Sequence, residues 1–387
     1  MAVWLREVYR ETQRQFQLKL LAGEAGLDHI LKWVYVAEDH TTTDFLRGGE
    51  LIITTGVLSH SDPHWLPRFL ERIHGEGTCG VILNVGRYLW EADVTQEVLA
   101  FCNDNAFPLF TMPWHIHIYD ITREYYSRVF QDSRRSEHLS QAIRTMANGG
   151  PGQEEALALL EENHFPAKAP YCLAGLWFAA GQETSLPDNE RVMNRVLAML
   201  APLPCYLAVS GSCLLLCRTD DPAMAEDIAS RLHQLITEML PALTLRIGVS
   251  DRLDGLADLP KGLFQAQTAA ELHPEQAVSF YGNLGFFKIL SMVTDTSLLE
   301  NFVHEQLAAV HAYDEKHRTD FARTLRLYLE LDHSVQRVAE RSFCHRNTVS
   351  HRLQLLRDIG YRLEEPNVCF SLLAAFQTED YLQLRRG

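Results

Sequence analysis

The chain of 387 residues is too long for one ordinary hydrophobic core and fits two or three domains. Its net charge of −15 repels nucleic-acid phosphates, so any binding to DNA must come from a local basic segment. No stretch approaches the roughly 20 apolar residues that a membrane span needs. The first residues carry mixed charges and no apolar core of signal-peptide length. These features predict a cytoplasmic protein that does not associate with a membrane.

Residues 1–117 are predicted to form an α/β domain. Short apolar runs alternate there with helix-like stretches, and each run ends in glycine, proline or a polar residue. The predicted strands are 33–38, 50–56, 79–86 and 107–113. This alternation indicates a mainly parallel sheet with helices packed against it.

The ends of these predicted strands carry the candidate effector site. Small ligands bind near the carboxyl ends of the strands in parallel sheets, and here those ends offer hydroxyl, amide and guanidinium groups beside an aromatic wall. The candidate effector-binding residues are Glu38, Thr54, Thr55, Gly56, Asn84, Gly86, Arg87 and Trp114. This set suits a small polar metabolite. The alternative that Thr54, Thr55 and Asn84 only cap loops stays open.

Three further regions follow along the chain. Residues 118–150 are predicted to form a linker helix, because apolar residues recur there at steps of three and four before a Gly-Gly-Pro-Gly sequence. Residues 151–285 show the order β-α-β-β-α-β, which is typical of a ferredoxin-like α+β domain. Residues 286–387 contain no convincing strand and are predicted to be all-α.

The cysteines do not indicate a disulfide framework or a metal site. They are scattered without a Cys-x-x-Cys pair, and we expect buried thiols in a reducing compartment. Cys213 and Cys217 would share one face of a strand, but no further ligands stand near them in the sequence. We therefore predict no metal and no cofactor.

A helix-turn-helix is predicted at residues 334–360. Ser334 is a good N-cap for a first helix, 335–341, and Gly360 is a natural end for a second helix that follows a break near Ser342. Between Arg337 and Arg362 there are six arginines and two acidic residues, an excess of four positive charges in an acidic chain. The sequence therefore contains the local basic segment that DNA binding requires.

The second helix is predicted to enter the major groove of DNA. One face is apolar and would pack on its own domain, whereas the other carries Arg, Asn, Thr and Ser side chains that can bind base edges or phosphates. The candidate DNA-binding residues are Arg337, Arg341, His345, Arg346, Asn347, Thr348, Ser350, His351 and Arg352. A solvated basic helix without a partner is the alternative.

The run AERSFCHRNTVSHRLQLLRDIGY (339–361) closely resembles the C-terminal helix-turn-helix of the purine catabolism regulator (PucR) family of bacterial transcription factors, which includes sugar-diacid regulators. Ser342 and His351 depart from it, because Leu and Tyr are usual at these positions. Upstream, GGELIITTG (48–56), GVILNVG (80–86) and PLFTMPW (108–114) resemble the sensory domain of the family. The middle region is similar to its degenerate GGDEF-like domain.

The resemblance implies an effector-responsive regulator that binds operator DNA as a homodimer or higher homo-oligomer and controls a catabolic pathway. The implied effector is a purine-catabolism intermediate, with an amino acid or an organic acid equally compatible with the residues. A nucleotide cyclase needs carboxylates for Mg²⁺, and the hairpin at 208–213 has none. We therefore predict no enzyme activity and no catalytic residues. An α/β small-molecule enzyme and a ligand-binding adaptor, with C-terminal helices that only oligomerise, remain the alternatives.

Overall fold

The computed structural model describes residues 3–39, 45–59, 62, 64–179, 181–182, 186, 189–209, 213–273 and 275–386. The chain forms two compact units, Met1–Ala266 and Gln267–Gly387. This division differs from the boundary predicted after residue 285. Leu272, Tyr281 and Leu284 are buried together with Leu290 and Tyr381, so residues 267–285 share the core of the second unit.

The first unit begins with a five-stranded sheet. Its strands are β1 (Lys19–Ala22), β2 (Trp33–Val36), β3 (Glu50–Thr54), β4 (Gly80–Val85) and β5 (Leu109–Pro113), in the order β1-β5-β4-β3-β2. Strands β2 to β5 are mutually parallel, which confirms the mainly parallel sheet, whereas β1 pairs antiparallel with β5. Strand β1 has no counterpart among the predicted strands.

Helices cover both faces of this sheet. Helices α1 (Leu5–Thr12) and α4 (Ile118–Asn148) pack on the face that contains Leu51 and Ile53. Helices α2 (Trp65–Gly75) and α3 (Gln96–Asp104) pack on the opposite face with Ile52. Alternate residues of each strand therefore enter two separate cores.

A second sheet occupies the rest of the first unit. It is preceded by α5 (Gln153–Glu162) and built from β6 (Tyr171–Phe178), α6 (Glu190–Leu200), β7 (Cys205–Ala208), β8 (Cys213–Arg218), α7 (Pro222–Met239) and β9 (Leu245–Val249). The strand order within this unit is β9-β6-β8-β7, and all three pairings are antiparallel. The element order is the predicted β-α-β-β-α-β. Helix α8 (Leu259–Leu272) follows and contains the boundary between the two units.

Local sequence signals set several helix ends in this unit. Asn189 accepts a hydrogen bond from the Val192 N–H at 3.2 Å, and Asp221 accepts one from the Ala223 N–H at 2.9 Å. Both side chains satisfy N–H groups that the first helical turn leaves unpaired. Helix α4 ends at Asn148 because Gly149 adopts a left-handed conformation, with φ of 68°. The linker helix thus ends at the predicted glycines.

The second unit is almost entirely helical. It contains a short strand, β10 (Val278–Phe280), and helices α9 (Phe287–Ser291), α10 (Thr296–His317), α11 (Phe321–Glu330), α12 (Val335–Arg341), α13 (Arg346–Ile359) and α14 (Pro366–Arg386). Apolar residues of α10 to α14 form one buried core. Across the described parts of both units, no helix is long and apolar enough to span a bilayer.

Candidate nucleic-acid interface and effector site

Helices α12 and α13 form the predicted helix-turn-helix. The Ser334 hydroxyl accepts a hydrogen bond from the Arg337 N–H at 3.3 Å and caps α12. Val338 and Ala339 are buried, and the Cys344 N–H closes the turn by donating to the Ala339 carbonyl at 3.0 Å. The small Ala339 side chain lets the two helices approach closely. The first helix spans the predicted residues.

The turn between the helices lies at the predicted break near Ser342, but its conformation could not be predicted from the sequence. Phe343 adopts a left-handed conformation with φ of 51°, and its side chain is 97% exposed. Nearby, the Ser342 hydroxyl donates to the Val338 carbonyl and lies 3.2 Å from the Cys344 sulfur. Ser342, one of the two departures from the family resemblance, therefore makes polar contacts within the turn.

Helix α13 has the two faces that were predicted. It begins at Arg346, because the His345 ring nitrogen Nδ1 accepts a hydrogen bond from the Asn347 N–H at 3.2 Å. It ends before Gly360, whose φ of 118° no ordinary side chain adopts easily. The buried stripe consists of Val349, Leu353 and Leu356.

Eight of the nine candidate DNA-binding side chains are exposed. The exposed group consists of Arg337, Arg341, His345, Arg346, Asn347, Thr348, Ser350 and His351. Six of them lie at the start of α13, where backbone N–H groups and the helix dipole favour negatively charged partners. This end of the helix therefore offers hydrogen-bond donors and a favourable field for phosphates and base edges.

Arg352 does not belong to this exposed group. Its guanidinium donates a hydrogen bond to the Thr324 hydroxyl at 3.0 Å and lies 5.9 Å from the centre of the Phe321 ring. Both partners belong to α11. The hydrogen bond and the ring contact hold the half-buried Arg352 against α11, and its predicted contact with DNA stays a prediction.

Nearby acidic residues reduce the net positive charge of the helix-turn-helix below the excess of four that was counted between Arg337 and Arg362. Arg337 pairs with Asp332 at 2.8 Å, Arg357 with Glu364 at 2.6 Å, and Arg362 with Glu365 at 2.9 Å. The Arg357 guanidinium holds the pKa of the Glu364 carboxyl below its ordinary value. Residues 332–365 hold six arginines and five acidic residues, an excess of one positive charge. Arg341 and Arg346 enter none of the ion pairs between described residues.

Four candidate effector residues lie where strands β2 and β3 end, and hydrogen bonds join Glu38 after β2 to the loop that begins at Thr54. The Glu38 carboxylate accepts hydrogen bonds from the Thr54 hydroxyl at 3.2 Å and from the Thr55 N–H at 3.0 Å. Gly56, with φ of 66°, is buried so tightly that a Cβ atom there would lie 2.2 Å from Leu89. The polar groups of this loop mostly bind one another.

The other four candidates follow strands β4 and β5. Asn84 is buried, and its amide donates to the carbonyls of Met112 and Pro113 at 3.3 and 3.1 Å. Gly86 and Arg87 are exposed, and the Arg87 guanidinium carbon lies 5.2 Å from the centre of the Trp114 ring. The same carbon lies 5.3 Å from the Tyr88 ring. Arg87 and Trp114 thus offer a guanidinium stacked on aromatic rings.

The described strands do not show the reversal of strand order at which ligands usually bind to an open parallel sheet. Ligands bind open parallel sheets where the strand order reverses and neighbouring crossovers separate to opposite faces. Strands β2 to β5 instead follow chain order, and the crossover helices α2 and α3 pack on the same face. The two groups of candidates lie along one edge, since Thr54 is in register with Leu83 and Asn84 with Met112.

Two exposed histidines and one cavity are the remaining features of the described residues that bear on ligand binding. Within the described ranges, no group of three or more His, Cys, Asp or Glu side chains is arranged to hold a metal ion. His115 and His117 are exposed, and the His115 ring lies 3.3 Å from the Gln17 amide. A cavity of about 800 Å³ lies between α4, α6 and β7, with Ser136, Tyr206 and Arg218 among its lining residues. No motif in the sequence indicated this cavity.

Three segments match known domain families. Residues 7–129 match the Purine catabolism regulatory protein-like family. Residues 148–272 match the GGDEF-like domain, and residues 321–378 match the PucR C-terminal helix-turn-helix domain. The three matches follow one another in the order that the sequence resemblance implied.

Individual proteins are similar over parts of the chain. The Purine catabolism regulatory protein of Bacillus subtilis (strain 168) is 31% identical over 124 residues, which are 32% of this chain and 23% of that protein. The Proline-responsive transcriptional activator PutR of the same organism is 26% identical over 142 residues, 35% of this chain and 34% of that protein. The matched residues thus span no more than about a third of either relative. The crystal structure of a regulator of polyketide synthase expression from Bifidobacterium adolescentis matches at 14% identity and a TM-score of 0.30, over 64% of this chain and 92% of that one.

Proposed function

We propose that the chain, whose residues 7–129 and 321–378 match the Purine catabolism regulatory protein-like family and the PucR C-terminal helix-turn-helix domain, is an effector-responsive bacterial transcriptional regulator of the PucR type. It binds double-stranded operator DNA through helix α13 and acts in the cytoplasm. The pathway that it controls is catabolic, with purines or other nitrogen or carbon compounds as substrates. The regulator itself has no enzyme activity.

The observation that carries this proposal is the division of helix α13 into two faces. Val349, Leu353 and Leu356 fix the helix on its own core, while Arg346 and Asn347 extend into solvent from its first turn. Arg can bind guanine O6 and N7 together, and Asn can bind adenine N6 and N7. A rigid helix that presents these two groups at its N-terminus has the geometry for reading base edges in a major groove.

Selection from a random duplex library with the full chain tests DNA binding. The proposal predicts enrichment of a DNA motif with two related half-sites. The variants Arg346→Ala and Asn347→Ala should no longer enrich this motif. Arg362→Ala is the matched control, because Arg362 is exposed on the same segment but lies beyond the end of α13. Failure to enrich any motif, or equal effects of Arg346→Ala and Arg362→Ala, would contradict the proposed interface.

The effector is proposed to bind at the exposed part of the strand-end edge. Arg87 and Trp114 support this placement, because a guanidinium beside aromatic rings suits a small molecule with a carboxylate or a planar polar ring. Purine intermediates, amino acids and organic acids share that chemistry. Thermal unfolding of the full chain with each compound tests binding, since a bound ligand raises the melting temperature. The same rise in Arg87→Gln would exclude Arg87 from the site.

A homodimer is the proposed DNA-binding form. Helix-turn-helix proteins commonly bind two half-sites about one helical turn of DNA apart, and the two-fold symmetry of the operator mirrors that of the protein. Effector binding in the first unit would alter the spacing of the two α13 helices through the linker helix α4. Sedimentation of the free chain and of its operator complex tests this form, and one chain per selected duplex would contradict it.

The middle region is proposed to be a degenerate, ferredoxin-like GGDEF domain without catalysis. The element order and the antiparallel sheet support this assignment. Ser210, Gly211 and Ser212 of the β7–β8 connection lie outside the described residues, and their side chains offer no carboxylate for Mg²⁺. Incubation of the chain with GTP and Mg²⁺ should therefore yield no cyclic dinucleotide, and a detectable product would refute this assignment.

A further inference from the structure

Three cysteines form a row across neighbouring strands of the second sheet. Cys205 of β7 lies directly opposite Cys217 of β8, and Cys217 lies directly opposite Cys172 of β6. Residues directly opposite in antiparallel strands point to the same face of a sheet. The three sulfur atoms therefore share one face, although they are distant in the sequence and belong to no Cys-x-x-Cys motif.

Backbone hydrogen bonds distinguish the two pairs in this row. The Arg218 N–H donates to the Pro204 carbonyl at 2.7 Å, so residues 204 and 218 form a hydrogen-bonded pair. Hydrogen-bonded and non-hydrogen-bonded pairs alternate along antiparallel strands, which makes Cys205 and Cys217 a non-hydrogen-bonded pair. Such pairs place the Cα atoms about 4.5 Å apart, inside the range of about 4.4 to 6.8 Å that a disulfide spans.

Cys172 and Cys217 form the other kind of pair. The Thr219 N–H donates to the Pro170 carbonyl at 3.1 Å, so residues 170 and 219 form a hydrogen-bonded pair. Pair types alternate along the strands, so Cys172 and Cys217, two positions further on, also form a hydrogen-bonded pair. The Cα atoms of such a pair are about 5.5 Å apart, and Cys172 is fully buried. Both separations lie within the range that a disulfide spans, so the choice between the two pairs depends on access to solvent, which favours Cys205 and Cys217.

Access to solvent also differs among the three thiols. Cys205 is partly exposed, and it lines the cavity of about 800 Å³ between α4, α6 and β7. Cys172 and Cys217 are buried and are not among the residues that line this cavity. A small oxidant that enters the cavity therefore meets Cys205 first.

The two thiols also differ in acidity. The Cys217 side chain, which faces Cys205 across the two strands, holds the pKa of the Cys205 thiol below its ordinary value. The same contact, together with burial, raises the pKa of Cys217. The thiolate is the reactive form of cysteine, so the accessible sulfur is also the better nucleophile.

We propose that Cys205 and Cys217 form a peroxide-sensitive dithiol that is reversibly oxidised to a disulfide. The Cys205 thiolate attacks one oxygen of hydrogen peroxide, the O–O bond breaks, and hydroxide leaves to become water. The Cys217 sulfur then displaces the hydroxyl of the Cys205 sulfenic acid, which leaves as water with the Cys217 proton. Two thiols lose two electrons and two protons in total, and one peroxide is reduced to two waters.

The disulfide would form beside the linker helix. Tyr206 follows Cys205 in β7, and its hydroxyl lies 2.9 Å from the Ser136 carbonyl and 3.1 Å from the Ser136 hydroxyl of α4. The Cys205 thiol also donates to the Leu200 carbonyl at the end of α6, a contact of 3.9 Å that oxidation removes. Oxidation therefore links β7 covalently to β8, and β7 is the strand whose Tyr206 contacts Ser136 of α4. The inference does not depend on DNA binding.

Peptide mapping of the full chain tests the proposal. The reduced protein is freed of reductant, exposed to hydrogen peroxide, blocked with N-ethylmaleimide and digested without reduction. We expect a cross-link between residues 205 and 217 with the loss of two hydrogens, which a thiol reductant reverses. No such cross-link at excess peroxide, or a cross-link of Cys217 to Cys172 instead, would overturn the proposal.

Single substitutions separate the roles of the two sulfurs. Cys217→Ser should leave a sulfenic acid on Cys205 that dimedone captures, whereas Cys205→Ser should abolish both products. Cys344→Ser is the control, because Cys344 is also partly exposed but lies in the turn before α13. The native Cys205 should react with peroxide about tenfold faster than Cys344. Equal rates, measured by competition within the unmodified chain, would refute Cys205 as the nucleophile even if a variant failed to fold.

Discussion

The polar residues at the start of helix α13 extend into solvent, whereas those at the carboxyl edge of the first sheet mostly bind their own backbone. Arg346, Asn347 and Thr348 are exposed. Glu38 and Asn84 instead accept and donate hydrogen bonds within the fold. Both regions place polar side chains at the end of a regular element, so position alone does not identify a binding group.

The energetic consequences of the two arrangements differ. An exposed side chain without a partner can be removed with little effect on the free energy of unfolding, so its loss should appear in binding. A polar group that satisfies buried backbone atoms stabilises the fold, and its removal leaves those atoms unpaired. The comparison therefore predicts binding defects at α13 and stability defects at the sheet edge.

The largest effect is expected at Gly56. Its φ of 66° disfavours any other residue, and an added Cβ atom would lie 2.2 Å from Leu89. We expect Gly56→Ala to lower the free energy of unfolding by about 3 kcal/mol, through backbone strain and overpacking. Chemical denaturation measures this change. Gly75→Ala is the control, because no atom lies within 4 Å of a Cβ there. A loss in Gly56→Ala no greater than in Gly75→Ala would show that the loop adapts.

Glu38→Gln tests whether the carboxylate supports the loop or binds the effector. The native carboxylate accepts hydrogen bonds from the hydroxyl of Thr54 and the N–H of Thr55. Replacing an ionised acceptor by an amide should cost about 2 kcal/mol of stability. Chemical denaturation and the rise in melting temperature with added metabolite are measured for the same variant. Unchanged stability combined with a lost metabolite response would instead make Glu38 a ligand-binding residue and break the contrast between the two regions.

The helix-turn-helix could be predicted almost residue by residue because its determinants are local. The cap at Ser334, the stop at Gly360 and the buried stripe of Val349, Leu353 and Leu356 are separated by one or a few helical turns. Such short-range signals can be read directly from a sequence. The inward direction of Arg352 could not be predicted, because its partners in α11 lie about thirty residues away.

The first sheet was less predictable because its strand order depends on long-range pairing. The four parallel strands were predicted to within two residues at each end, since apolar runs bounded by turn residues mark them. Strand β1, only four residues long, carries no such signal and pairs with β5 about ninety residues away. The hydrogen bonds of Glu38 and Asn84 likewise depend on which strands lie side by side, and no local pattern encodes that order.

Arg346 and Arg352 offer a matched test within a single helix. Arg346 is exposed, whereas Arg352 packs on Phe321 and Thr324. We expect Arg346→Ala to weaken operator binding by about 2 kcal/mol, roughly thirtyfold, without changing stability. Arg352→Ala should lower stability by about 1 to 2 kcal/mol and leave binding by the folded protein nearly unchanged. Binding titrations and denaturation of both variants measure this. A reversal of the two effects would show that the exposed face does not contact DNA.

The smallest effect is expected at His345, whose side chain both stabilises the fold and is exposed at the proposed DNA interface. Its Nδ1 atom caps α13 by accepting from the Asn347 N–H, while the exposed ring lies at the proposed interface. His345→Ala should cost about 1 kcal/mol of stability, the usual value of an N-cap. His345→Asn should restore that stability, because asparagine is among the best capping residues. Denaturation compares the two variants, and binding titrations then isolate any contact of the ring with DNA. If His345→Asn binds its operator as the native chain does, the ring only caps the helix, and the contact surface begins at Arg346.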